Sequence, residues 1–141
     1  MTYCVAIRVR EGLIALADGR VTSGSQMAVA RKVTMLGTKP HRYFLMTSGL
    51  RSVRDKVLAY LRQEIKQLPS RNYTTMLDAV GGFATCLRQV AEEDREALAT
   101  SDLAFNLHAI IGGQLEEDAE PTMFLVYPEG NWIEVDQRAP Y

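Results

Sequence analysis

The first seventeen residues constrain the fold more than any other stretch of the chain. Tyr3, Val5, Ile7 and Val9 alternate onto one face of a strand, with Cys4 and Ala6 on the other. Arg10-Glu11-Gly12 reads as a tight turn, and Leu13-Ile14-Ala15-Leu16-Ala17 returns as the second strand of a hairpin. Both faces of that hairpin are largely apolar, so it is expected inside a layered structure and not on a wet surface. With 141 residues, the chain has room for one domain and a real core.

The remaining sequence supplies candidate layers. Gly19 to Ala30 is small, polar and turn-prone. Lys32-Val33-Thr34-Met35 and Tyr43-Phe44-Leu45-Met46-Thr47 read as strands joined by the Gly37-Thr38-Lys39-Pro40 turn, and Ser48-Gly49 ends the second. Val53, Val57, Leu58, Leu61, Ile65 and Leu68 step by three and four, predicting a helix that stops at Pro69. Met76, Leu77, Val80, Phe83, Ala84, Leu87, Val90 and Ala91 predict a second helix, capped by Asn72 or Thr74 and ending in the solvated Glu92 to Glu96 segment. Gly81-Gly82 costs that helix about 1 kcal/mol per glycine, which implies close packing against another backbone. Phe105 to Ile111, Thr122 to Tyr127 and Asn131 to Val135 form a meander, turning at Pro128-Glu129-Gly130. Four strands, two helices and three strands describe one layered α+β domain over residues 1–141.

Several function classes are disfavoured. The net charge is −1 and neither sign clusters, so neither a nucleic-acid groove nor an anionic membrane surface is expected as a partner. Cys4 and Cys86 fit neither a metal spacing nor a disulfide framework and read as small buried hydrophobes of a cytoplasmic protein. The opening lacks a secretory signal, and no run of about 20 apolar residues predicts a membrane span. His41 reads as an exposed turn residue and His108 as a satisfied core histidine. Glu116-Glu117-Asp118 reads as a solvated loop, and Arg51 and Arg54 as surface residues of the first helix. Gly112-Gly113 lacks the pattern of a phosphate-binding loop. No His/Cys/Asp/Glu group has metal spacing, and no cofactor is inferred.

The hairpin carries the chemical expectation. Its turn sets the register to within a residue or two and brings Asp18 beside Thr2; opposed Cβ atoms in a strand pair lie about 5 Å apart. A threonine hydroxyl needs a base. An α-amine, titrating near about 7.7–8.0, suits that role far better than a lysine amine near about 10.4. Once Met1 is removed, Thr2 therefore supplies both nucleophile and base. Lys32, at the start of the third strand, is placed to lower the amine pKa by like-charge repulsion, with Asp18 pairing and orienting it.

Thr2-Tyr3-Cys4-Val5-Ala6, Ala17-Asp18-Gly19-Arg20-Val21-Thr22, Arg31-Lys32 and Thr47-Ser48-Gly49, in this order and spacing, resemble the proteasome β-subunit superfamily of N-terminal-nucleophile hydrolases. The opening most resembles Anbu, the bacterial proteasome-like family. The resemblance implies an αββα sandwich of which this chain covers the N-terminal part, since family members run well beyond its length and carry later strands, helices and site residues. It implies Thr2 as nucleophile, Asp18 and Lys32 as the tuning pair, and the Gly49 N–H as an oxyanion donor. Val21 would line the pocket for the residue before the cut, and Thr22 would hold an extended substrate by strand-like hydrogen bonds. It further implies a peptide or unfolded-protein substrate and a homo-oligomeric ring or helical assembly. Two other classes compete: a non-catalytic assembly subunit of the same fold, and a small longin-like or roadblock-like binding module.

Overall fold

The computed structural model describes residues 2–23 and 26–136, which form two helices and nine strands. The opening hairpin is β1 (Cys4–Val9) and β2 (Gly12–Ala17). Next come β3 (Arg20–Ser23), β4 (Gln26–Val29), β5 (Val33–Gly37) and β6 (Arg42–Gly49). Helices α1 (Arg51–Gln67) and α2 (Met76–Ala99) precede β7 (Leu107–Gly113), β8 (Thr122–Val126) and β9 (Trp132–Glu134). All pairings are antiparallel: β1 with β2, β3 with β4, and a five-stranded sheet in the order β5-β6-β7-β8-β9.

Strand β6 shows why the layers form. Tyr43 to Thr47 are all buried, and alternation sends them two ways. Tyr43 and Leu45 join the core under the helices, built from Val53, Val57, Leu61, Val80, Phe83 and Leu87. Phe44 and Met46 face the opposite way and meet Met123, with Cys4, Ala6, Leu13, Ala15 and Ala17 of the hairpin packed against them. The described residues thus stack as helices, five-stranded sheet, two-stranded hairpin.

Several features differ from the sequence expectations. The turn-prone stretch from Gly19 to Ala30 contains a hairpin, with Arg20 opposite Val29 and Ser23 opposite Gln26. Two strands of four residues are too short to show a period, and residues 24–25 lie outside the described ones. The cap of α2 is Thr75: its hydroxyl accepts from the Asp78 N–H at 3.1 Å and donates to Asp78 Oδ2 at 2.8 Å. The stripe on α2 leaves out Leu77, which is exposed. Finally, among the described residues the hairpin of β1 and β2 is packed on one face only.

The acidic loop does more than meet solvent. Asp118 Oδ2 accepts from the Met76 N–H at 2.9 Å and from the Leu115 N–H at 2.8 Å, tying the β7–β8 connection to the start of α2. A carboxylate there also complements the helix dipole. Of the Gly81-Gly82 pair, only Gly82 is in close contact, and its neighbour is a side chain instead of a backbone. A Cβ on Gly82 would overlap the Tyr73 hydroxyl, while Gly81 faces open space. His108 is exposed on β7, edge-on to Tyr127 with ring centroids 6.0 Å apart, and so is not a core histidine. His41 is half-buried, and its carbonyl accepts from Asn72 Nδ2 at 3.1 Å.

Candidate active site

The register of the first hairpin positions the site. Cys4 lies opposite Ala17, so the next pair outward is Tyr3 and Asp18, joined by the Asp18 N–H donating to the Tyr3 carbonyl at 3.0 Å. Asp18 therefore falls one residue from the expected place beside Thr2, within the tolerance set by the turn.

Lys32, at the end of the connection leading into β5, completes the cluster. Its ammonium donates to Asp18 Oδ1 at 2.8 Å and to Thr2 Oγ1 at 3.4 Å. The first distance is that of a strong charge-assisted bond, and the second that of a weak one. The lysine side chain is 10% exposed and the aspartate 31%, so the pair sits at the rim of the core and is only partly screened by water.

Backbone N–H groups fix the carboxylate as well. The Tyr3 N–H donates to Oδ1 at 2.8 Å, and the Arg20 N–H donates to Oδ2 at 3.2 Å. The latter bond, from an aspartate to the amide two residues on, is an Asx-turn. Asp18 thus starts the turn into β3 and holds Lys32 at the same time. The hydrogen bond from Lys32, then that from the Tyr3 N–H, hold its carboxyl down to about 2.

That depression sets a pH window. A carboxylate with a lowered folded-state pKa contributes stability above its unfolded value near 3.8, and the contribution is lost as pH falls through about 2. A carbonyl-carbon NMR titration is expected to show Asp18 titrating near 2, and Lys32→Met is expected to return it towards 3.8. An Asp18 midpoint near 3.8 in the unaltered protein would contradict the pairing.

Cys4 lies beside the cluster, its thiol directed at the Thr47 carbonyl at 3.9 Å. Burial pushes this thiol up, against an opposing pull from the Lys32 charge. Cys86 is buried between the helices, its thiol donating to Glu64 Oε2 at 3.3 Å and pushed up to about 12, first by burial and then by Glu64. Neither thiol is an activated nucleophile.

The other sequence candidates stand differently. Gly49 closes β6 opposite Leu107 with φ of +133°, a conformation that side chains disfavour. A Cβ there would overlap the Asn106 carbonyl oxygen, so contact with β7 alone requires glycine. The atoms nearest that Cβ belong to Asn106 and Leu107 and not to the lysine-centred cluster. Val21 and Thr22 lie in β3 opposite Ala28 and Met27, in the strand that begins at the Asx-turn. What sequence reasoning missed is the backbone clamp of Tyr3 and Arg20 on Asp18. The turn-prone stretch that begins at Gly19 pointed to it, because the turn and the clamp are one structure.

Comparison with known proteins places the fold. No family model matches the sequence, and no curated protein does. Solved structures do. An Anbu (Gly-1) mutant from Hyphomicrobium sp. strain MC1 is 26% identical with a TM-score of 0.82. Anbu, the ancestral beta-subunit, from Yersinia bercovieri is 24% identical with a TM-score of 0.82. The helical assembly of the Anbu complex from Pseudomonas aeruginosa is 26% identical with a TM-score of 0.85. In each case the match covers 99% of this chain and 58% of the other. The fold is therefore proteasome-like. Within that class these three structures are Anbu proteins, of whose length this chain spans just under three-fifths.

Proposed function

We propose that this chain carries the site of a threonine-type peptidase or amidohydrolase. It works in an αββα sandwich of which the described residues supply one helical layer, the five-stranded sheet and the β1–β2 hairpin packed on it. The observation that carries the reading is the single ammonium of Lys32 touching both Thr2 Oγ1 and Asp18 Oδ1. Met1 lies outside the described residues, and the mechanism needs it removed so that Thr2 has a free α-amine.

The amine takes the hydroxyl proton, directly or through a water, and Oγ attacks a peptide carbonyl. Lys32 remains charged, stabilises the developing alkoxide and disfavours protonation of the neighbouring amine. The Gly49 N–H is assigned to the oxyanion. Collapse of the tetrahedral intermediate passes the proton to the leaving amine and leaves an ester on Thr2, which water hydrolyses with the α-amine again as base. Substrates are extended peptides or unfolded chains lying along Thr22, with Val21 in the first pocket, and a homo-oligomeric ring or helix encloses the site. The second reading, a non-catalytic assembly subunit, is favoured by the helical assembly named for the Pseudomonas aeruginosa neighbour.

A peptide carrying an electrophilic warhead separates the two. Thr2→Ala is expected to slow covalent labelling by about 10³-fold or more, as loss of a nucleophile does elsewhere. Thr2→Ser is expected to retain labelling. Equal labelling of wild type and Thr2→Ala would eliminate the catalytic reading.

A further inference from the structure

Packing within the chain accounts for only one glycine of the α2 pair. Glycine weakens a helix interior, and Gly82 has a neighbour that requires it: a Cβ there would overlap the Tyr73 hydroxyl and lie 3.1 Å from Glu64 Oε1. A Cβ on Gly81 would meet nothing within 4 Å. One turn earlier on the same helical face, Leu77 is 56% exposed and stands outside the core stripe. Both residues line one groove of about 670 Å³ between the end of α1 and the start of α2, the size of a small-ligand cleft. Leu68, Pro69 and Leu77 give it apolar surface and Glu64 and Asp78 give it carboxylates, while no lysine, arginine or histidine lines it.

Glu64 is half-buried. Its Oε1 accepts from the Tyr73 hydroxyl at 2.8 Å and its Oε2 from the Cys86 thiol at 3.3 Å, and both donors are neutral. Among the described residues no cation pairs with it. Tyr43, 1% exposed, belongs to the same cluster: its hydroxyl has no hydrogen-bond partner, and burial and then the Glu64 charge push it up.

We infer that this groove is a binding site for an alkylguanidinium, the group that ends an arginine side chain. A half-buried carboxylate held only by neutral donors lacks the positive charge that would offset its lost hydration. Each of its oxygens keeps a lone pair for a further donor. A guanidinium offers a planar fork to a carboxylate and is more weakly hydrated than an ammonium, which suits a half-buried site. Its aliphatic stem lies against Leu68 and Leu77. An anion would be repelled by both carboxylates, and the described residues offer no group of three metal ligands. The groove belongs to the helical layer, across the five-stranded sheet from the hairpin that carries the Thr2 cluster, so the inference does not rest on the catalytic reading.

The test follows the amide signals of Gly81 and Gly82 by NMR in isotope-labelled protein. Agmatine supplies the group as a free molecule, and a blocked Ala-Arg-Ala peptide supplies it as a side chain. Both are expected to move these signals with an affinity that falls as salt is added, and the tighter of the two tells which source the groove serves. The same peptide with citrulline for arginine, neutral and nearly isosteric, should bind about tenfold more weakly or worse, as should agmatine to Glu64→Gln. Gly81→Leu should melt at a higher temperature, because leucine favours a helix, and yet lose binding read at Gly82, because its side chain fills the groove. The inference is overturned if neither probe moves the signals, if the citrulline peptide matches the arginine peptide, or if either folded variant binds as wild type does. Signals that shift with protein concentration alone would show a second copy filling the groove, and would overturn it too.

Discussion

Lys32→Met is expected to slow labelling by an electrophilic peptide about 10²–10³-fold while leaving the protein folded. Methionine reproduces most of the length and apolar stem of lysine but no charge. The loss removes the donor to Thr2 Oγ1 and the positive neighbour that keeps the α-amine deprotonated. A second signature follows from the same cause. The pH at which labelling is half-maximal should rise in Lys32→Met, because an amine freed of like-charge repulsion holds its proton to higher pH. Stability at neutral pH should fall only in part, since Asp18 loses its lysine partner but keeps the N–H groups of Tyr3 and Arg20 and is one-third exposed. A labelling rate within about tenfold of wild type, with an unshifted profile, would show that the ammonium is a structural cation only.

Gly49→Ala is expected to destabilise the protein by about 3–5 kcal/mol, two penalties adding at one position. The first is the backbone conformation, with φ of +133°, which alanine adopts only under strain. The second is steric. The new methyl would collide with the Asn106 carbonyl oxygen and lie 2.9 Å from Leu107 Cα, and these are backbone atoms of the neighbouring strand entry that cannot swing aside. The helix start moves with them, because the Leu50 N–H donates to the same Asn106 carbonyl at 2.9 Å. Urea unfolding followed by circular dichroism measures the loss. A change below about 1 kcal/mol would mean that β7 does not hold Gly49 as described. The result also governs how a catalytic defect of this variant is read: its N–H could be a perfect oxyanion donor and the variant would still fail by misplacing the strand end.

The sequence was legible wherever a pattern repeats often enough to average out exceptions. The stripe from Val53 to Leu61 gave α1 because four buried residues share one helical face, and the long run from Met76 to Val90 gave α2 in the same way. The hairpin register followed from a short turn flanked by alternating residues, which is why Asp18 arrived within one residue of its expected place. The cluster of Thr2, Asp18 and Lys32 was approachable for the same reason, since two of its members hang on that register.

Other features depended on contacts that no local pattern encodes. Asp118 looks like part of an acidic loop until the start of α2 is beside it, 42 residues away in sequence. His108 alternates into an apolar strand, yet the face it shares is not covered by the helices. The outer face of β1 and β2 has the alternation of a buried strand, but burial is decided by what lies opposite, and residues 2–136 place nothing over it. Gly49 shows a further limit. Its residue type agrees with an oxyanion role and with a tight crossing of β7, and only the second is written in the contacts around it.

The central claim is that a freed Thr2 amine and hydroxyl act together beside Lys32 and Asp18. It is tested most directly by locating the adduct of an electrophilic peptide on the intact protein and its N-terminal fragment by mass spectrometry. The account predicts a chain lighter by one methionine, with the adduct on Thr2. An adduct on any other residue, or equal labelling of chains that still carry Met1, would contradict it.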